Sequence, residues 1–170
     1  AISAVARRHK LAVLEDSCQA MGAAYKGRPI GTYGQIAAFS LNFQKTITSG
    51  DGGLVITDDD ALYERAFAFH DQGHKPLRMG LEIGRRSILG INLRMNELTG
   101  AVLGAQLPKL DRMVADLRQH AGAIYAGIRD LPGLRLRQQP DPAGDIGYSA
   151  FFEVKDKATR DRGIAALRKL

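Results

Sequence analysis

The sequence predicts an α/β layered domain, and three observations carry that prediction. A helical stretch with Ile2, Val5 and Ala6 on one side runs directly into the short apolar run Leu11-Ala-Val-Leu14. Two more short apolar runs follow, Ile36-Ala-Ala-Phe-Ser-Leu41 and Gly53-Leu-Val-Ile-Thr57. A stripe at helical spacing then appears, Leu110, Met113, Val114, Leu117, Ala121, Ile124, Tyr125, Ile128 and Leu131. Short apolar runs bounded by turn residues suit buried strands, and recurrence every three to four residues suits an amphipathic helix.

Taken in order, residues 1–10 read as the later part of a helix, and 11–14 as a buried strand ending at Glu15-Asp16. Residues 36–41 and 53–57 are the second and third strands, the third with glycines in front and aspartates behind. Asp58 or Asp59 can cap a helix over 60–71 whose apolar face is Leu62, Ala66 and Phe69, and Gly73 can close it. Residues 72–95 are rich in Gly and Arg without a period, a long excursion of the kind that often carries function. Asn96 caps a helix with Leu98, Ala101, Val102 and Ala105 on one side. Pro108 interrupts that pattern and can start the next helix, over 109–131, which Pro132-Gly133 ends. Residues 135–147 are polar loop, Ser149–Val154 a strand, and a helix begins near Ala158. The expected organisation is a larger domain over 1–108, a linking helix over 109–131 and the start of a smaller domain over 132–170. Both ends read as cut, so the chain is expected to be an internal fragment of a longer protein.

Composition excludes several classes of function. The 170 residues are 45% hydrophobic and 25% charged, an ordinary globular balance. The net charge of +6 is scattered, and its densest cluster is Arg85-Arg86 with Arg78 and Arg94 in reach. Aromatic residues are only 6%, so the basic patch interleaved with aromatics that nucleic-acid binding needs is missing. No apolar run approaches the roughly 20 residues that span a bilayer. Cys18 is the single cysteine, which excludes an internal disulfide and any CxxC metal pattern, so no metal is expected. That usage fits a reducing compartment, and with no signal peptide legible the expected location is the cytoplasm.

Four features could carry chemistry. Asp16 sits just past the carboxyl end of a strand, where ligands bind in open α/β sheets. A carboxylate there can pair with a cationic ring nitrogen, or it can simply cap a turn. Lys45 follows one strand and precedes a glycine-rich turn; near buried surface a lysine can act as a nucleophile, and otherwise it is a loop lysine in solvent. Ser40 could offer a hydroxyl to a phosphate, or be an ordinary strand-end serine. The loop Ser49-Gly-Asp-Gly-Gly53 could cradle phosphate, but it lacks the spacing of a P-loop or a dinucleotide fingerprint, and a tight turn between strands explains it equally well.

Together the motifs resemble one family. Val13-Leu-Glu-Asp-Ser-Cys-Gln-Ala-Met-Gly-Ala23, Tyr25-Lys-Gly27, Gly31-Thr-Tyr-Gly34, Phe39-Ser-Leu41, Lys45 and Thr48-Ser-Gly-Asp-Gly-Gly53 stand in the order found in the DegT/DnrJ/EryC1/StrS aminotransferases. Gly90-Ile-Asn-Leu-Arg-Met-Asn-Glu-Leu98 and Gln106-Leu-Pro-Lys-Leu-Asp111 resemble two later segments of the same family. The resemblance covers nearly the whole chain. It implies a fold-type I, aspartate-aminotransferase-like enzyme that uses pyridoxal 5'-phosphate (PLP). The chain would then hold the later part of the large PLP-binding domain (1–108), the linking helix and the start of the C-terminal small domain.

The resemblance also implies roles. Lys45 would be the catalytic lysine that carries PLP covalently. Asp16 would pair with the pyridinium nitrogen, Gln19 would lie near the ring 3-hydroxyl, and Ser40 would bind the phosphate. Asn92 or Arg94 would reach the phosphate of the neighbouring subunit's cofactor, because the family's active sites lie at a homodimer interface. The implied reaction moves an amino group from glutamate or glutamine to a keto sugar or cyclitol, in biosynthesis of amino sugars for surface polysaccharide or secondary metabolites. Two departures stand out: Asp51 where the family usually has Glu, and Met21 where a His is common beside the ring. One rival is a PLP-dependent sugar dehydratase of the same family, against which Lys45 argues because those members carry His there. The other is a non-catalytic regulatory protein that kept the fold, against which Asp16, Gln19 and Lys45 argue together.

Overall fold

The computed structural model describes residues 2–76 and 88–169. Helix α1 (Ile2–Arg8) leads to strand β1 (Leu14–Asp16), a small hairpin of β2 (Ala24–Tyr25) and β3 (Arg28–Pro29), then β4 (Ile36–Ser40) and β5 (Gly53–Ile56). Helix α2 (Asp60–His70) follows, then α3 (Glu97–Gln106), a 3-10 turn at Leu107–Lys109, α4 (Leu110–Ile128), β6 (Leu134–Leu136), β7 (Phe152–Val154) and α5 (Lys157–Leu167).

The main sheet has the order β1-β4-β5, with β1 parallel and β5 antiparallel to the central strand β4. A strand covered on both faces reads as continuously apolar, and β4 fits: Ala37 and Phe39 are buried while Ile36, Ala38 and Ser40 are half-buried. The outer strands are more open. Leu11 and Leu14 are 60% and 66% exposed, so the run expected as a buried strand over 11–14 is not buried in this chain. The strand itself begins later and runs through Glu15-Asp16. Lys10, at φ 54, turns the chain out of α1, and pairing with the β4 side begins only where Gln35 N–H donates to the Val13 carbonyl at 2.9 Å.

The helices start where local chemistry dictates. Asp59 caps α2 by accepting the Ala61 and Leu62 N–H groups, Asn96 caps α3 through Thr99 N–H at 2.9 Å, and Asp156 caps α5 through Thr159 N–H at 2.7 Å. Two expected helix faces need correction. On α2 the buried residue is Ala68, while Phe69 stays 48% exposed. On α3 no residue is buried, and Leu98 and Val102 face outward at 82% and 46% exposure. Helix α4 buries Val114 and Ala121 and leaves Ile124 and Leu131 half exposed, and it ends at Ile128 rather than Leu131. Its first turns rest on the bend after β1, for a Cβ at Gly22 would lie 2.9 Å from Val114 Cγ2.

Of the 72–95 excursion, residues 77–87, and with them Arg78, Arg85 and Arg86, lie outside the described residues. Residues 91–93 are lashed to the end of α2, with Asn92 bridged antiparallel to Asp71. Ile91 N–H donates to Phe69 O, Leu93 N–H to His70 O, and Gln72 N–H to Ile91 O. Gly90 makes that approach possible: a Cβ there would stand 2.5 Å from the Gly73 nitrogen. The β2–β3 hairpin and strand β6 went unforeseen. The expected strand over 149–154 is shorter than anticipated, with β7 pairing its Phe152–Val154 antiparallel to β6.

Candidate active site

The site is built at the carboxyl ends of two parallel strands. Asp16 ends β1 and pairs in register with Ala38 of β4, and Ser40 ends β4 two residues further on. The chain then forms the loop 41–52, which holds itself together. Leu41 and Ile47 plug it, at 0% and 1% exposure. Ser49 N–H and the Thr48 hydroxyl both donate to the Leu41 carbonyl, and Leu41 N–H donates to Gly52 O, closing the loop base. Lys45 sits half-buried on the outer arm, between exposed Phe43-Gln44 and buried Thr46-Ile47. Its N–H donates to Asn42 O at 3.0 Å.

Asp16 and Lys45 share one electrostatic environment. The Asp16 carboxyl is held below its ordinary value, first by the Cys18 side chain and then by the Cys18 N–H at 3.2 Å; desolvation opposes them, and the Lys45 charge is the least of the causes. Cys18, in turn, has its thiol pushed up by Asp16 and by burial, with Lys45 opposing. Its Sγ also lies 3.7 Å from the Ala38 carbonyl. Gln19 is exposed on the turn after Ser17, next to this pair, and Ser40 Oγ accepts Asn42 N–H at 3.3 Å. An anionic carboxylate, a hydroxyl and a lysine at one sheet end form a donor set that suits a cofactor with a cationic ring nitrogen, a phosphate and an aldehyde.

Asn92 and Arg94 form a separate group beside the end of α2. Arg94 Nε donates to Asn92 Oδ1 at 3.2 Å and stands 3.2 Å from Asp71 Oδ1. A cleft of about 820 Å³ between β5, α2 and residues 93–99 is lined in part by Arg94, His70 and Gly52, and by none of Asp16, Gln19, Ser40 or Lys45.

Three residues that the sequence reading missed support these groups. The Glu15 carboxylate accepts the N–H groups of Gly31 at 2.8 Å, Tyr33 at 2.5 Å and Gly34 at 2.6 Å. Strand alternation was the available signal, since it turns Glu15 away from the face that Asp16 uses. Asp71, buried against Arg94, and Tyr148, whose hydroxyl donates to the Gln44 carbonyl, left no local signal.

The DegT/DnrJ/EryC1/StrS aminotransferase family matches residues 1–169, and the chain belongs to that family. A "pleiotropic regulatory protein" of Geobacillus stearothermophilus is 39% identical over 78% of this chain and 34% of its own length. The L-glutamine:2-deoxy-scyllo-inosose aminotransferase of Micromonospora echinospora is 35% identical over 91% of this chain and 40% of its own. Among solved structures, an E. coli GDP-4-keto-6-deoxy-D-mannose-3-dehydratase with bound hydrated PLP superposes with a TM-score of 0.86. It covers 99% of this chain and 46% of that one at 24% identity, which shows the shared fold. The chain thus spans less than half the length of each of these proteins.

Proposed function

We propose that this chain carries the cofactor-anchoring part of a PLP-dependent aminotransferase acting on a keto sugar or cyclitol, with glutamate or glutamine as amino donor. The observation that carries the reading is the placement of Asp16 at the end of β1, in register with Ala38 of β4, whose chain runs on through Ser40 into the loop that holds Lys45. The fold supports it, and so does the family to which the chain belongs. The relative named for a glutamine donor and a scyllo-inosose acceptor favours this substrate class. The product would be an amino sugar or aminocyclitol for surface polysaccharide or secondary metabolites, made in the cytoplasm.

Each residue has a part in this reading. Asp16 holds the ring nitrogen protonated. Gln19 lies toward the ring hydroxyl, Ser40 donates to the phosphate, and Lys45 forms the covalent attachment. Bound PLP supplies an electron sink for the substrate's α-carbon. Lys45, with its amine free, would hold and move the proton at the substrate's Cα as a general base. Asn92 or Arg94 reaches the cofactor phosphate of a second copy, so the working unit is a homodimer. Residues 1–108 belong to the large domain, α4 links, and 132–170 begin the small domain.

The test uses the full-length protein, loaded with PLP, reduced with borohydride and mapped by mass spectrometry. The cofactor is expected on Lys45, and finding it on Lys26 or Lys75 overturns the reading. The name of the 39% identical relative favours a second reading, a regulator that retains the fold. A protein that yields no reducible PLP adduct supports that reading. Dehydration of a keto sugar by PLP-loaded protein, without a reducible adduct on Lys45, supports the dehydratase alternative.

A further inference from the structure

The peptide between Gln44 and Lys45 has both of its polar atoms held. Lys45 N–H donates to Asn42 O at 3.0 Å within the loop. The Gln44 carbonyl accepts from the Tyr148 hydroxyl at 2.9 Å, across 104 residues of sequence. Among the described residues, the loop's other ties run to its own base or its own neighbours, at Leu41, Gly52, Thr48 and Asp51. Tyr148 is therefore, among the described residues, the side chain from a distant segment that reaches the backbone beside Lys45.

Tyr148 is itself firmly seated by α4. Gly147, at φ +73, brings the chain so close that a Cβ would stand 2.7 Å from Leu117 O. Arg118 Nε donates to Asp145 O at 2.7 Å, and Gly147 N–H donates to Asp145 Oδ1 at 2.7 Å. Ile146 is buried at 4% exposure, and the Tyr125 hydroxyl accepts Phe151 N–H at 3.2 Å. Residues 145–151 thus lie fixed along α4, and from that rail the Tyr148 ring reaches to the loop. Tyr148 is 39% exposed, so its ring is not a core plug whose loss would collapse the fold.

We propose that Tyr148 is a positioning residue for Lys45. Its hydroxyl fixes the plane of the Gln44–Lys45 peptide and so sets the direction in which the lysine side chain leaves the backbone. A lysine that must both hold a cofactor and carry a proton depends on such placement, because sub-ångström displacement of a reacting group is costly in rate. The same bond ties the segment after α4 to the reaction. This inference rests on the assignment of Lys45 as the lysine that attaches PLP.

The experiment uses the full-length enzyme with Tyr148→Phe, which keeps the ring and deletes only the hydroxyl. Borohydride mapping of the unmodified enzyme comes first; a cofactor found elsewhere than on Lys45 defeats the underlying assignment, and the proposal with it. With Lys45 confirmed, three readouts address Tyr148 alone. Hydrogen exchange of the peptide spanning residues 41–47, in the enzyme without cofactor, is expected to quicken about tenfold. The pH midpoint of the absorbance change of the loaded enzyme is expected to move. The kcat is expected to fall about tenfold with KM for the amino donor little changed, the pattern of a lost placement rather than lost binding. Gly147→Ala, which displaces Tyr148 while keeping its hydroxyl, is expected to give the same exchange and pH signatures. Unchanged exchange and an unchanged pH midpoint in Tyr148→Phe overturn the proposal.

Discussion

Arg94 Nε stands 3.2 Å from Asp71 Oδ1, and the two partners differ sharply in exposure: the Asp71 side chain is 6% exposed and that of Arg94 is 49%. The Arg94 Nε–H is aimed at Asn92 Oδ1, so its contact with Asp71 is one of charge rather than an aligned hydrogen bond. The Asn92 amide, held through its oxygen, keeps its NH₂ group for another acceptor. If this pair serves a partner's phosphate as proposed, Asn92 is placed to donate and Arg94 to orient it.

The pair should respond asymmetrically to substitution. Arg94→Ala removes the counter-charge that stands beside the buried Asp71 carboxylate among the described residues and is expected to cost about 1–3 kcal/mol, toward the low end because Arg94 is half in solvent. Asp71→Asn removes the buried charge and leaves an arginine that water can solvate, so the cost should be smaller. Thermal unfolding of both full-length variants checks the order, and equal losses would show that the ion pair does not set the stability of this corner.

Asp16→Asn is expected to slow proton transfer while PLP still attaches, because one electrostatic partner of the ring nitrogen is lost. Half-reaction kinetics with glutamate measure this, and a near wild-type rate would remove Asp16 from the site. The pH dependence has a definite sign. Because the folded carboxyl lies below its ordinary value of 3.8, its anionic form and any stability it lends are complete above that value. Both are lost only as pH falls through the lower folded value. No acid limb in the rate between pH 5 and 7, on the order of the usual assay range, should therefore vanish in Asp16→Asn.

Glu15 anchors the turn beneath the site, and its carboxylate alone satisfies three backbone donors. Glu15→Ala orphans all three and is expected to cost about 2–4 kcal/mol. Glu15→Gln should recover little, since an amide offers one oxygen and turns an NH₂ toward donors. Urea unfolding of the two variants tests this, and full rescue by Gln would show that charge and two-oxygen geometry are irrelevant there.

Much of this was legible in the sequence where the cause was local. Asp59 and Asn96 were readable as caps because a cap bonds N–H groups two or three residues away. Helix α4 was readable because its period persists over five turns' worth of apolar positions, though its end at Ile128 was not, since Leu131 continues the stripe on paper but stays 50% exposed. Strands β2, β3 and β6 are two or three residues long, too short to show alternation. The juxtaposition of Asp16 with Lys45 depends on the parallel pairing of β1 with β4, which motif order implied and composition did not. The bonds Tyr148–Gln44 and Asp71–Arg94 join distant segments through side chains with no repeating pattern, and only the folded chain displays them.

Both outer strands of the main sheet have one edge without a partner among the described residues. They carry exposed apolar side chains there and on their faces: Leu14 at 66%, Val55 at 57%, Ile56 at 39% and Leu54 at 38%. Helix α3 buries nothing, and Leu98 and Leu107 stand open at 82% and 57%. Open edges beside apolar surface favour association between copies over a stable soluble monomer. Phosphate donors are equally sparse among the described residues. Ser40 is present near Lys45, Asn92 and Arg94 lie in a separate group, and a tight phosphate site needs several donors converging. The 170-residue unit is therefore expected to associate in a concentration-dependent way, to bind PLP weakly without saturating, and to show no transfer from glutamate. Sedimentation and a PLP absorbance titration measure the first two. Stoichiometric PLP on a soluble monomer, with turnover on a keto sugar, would show that these residues already form a complete site.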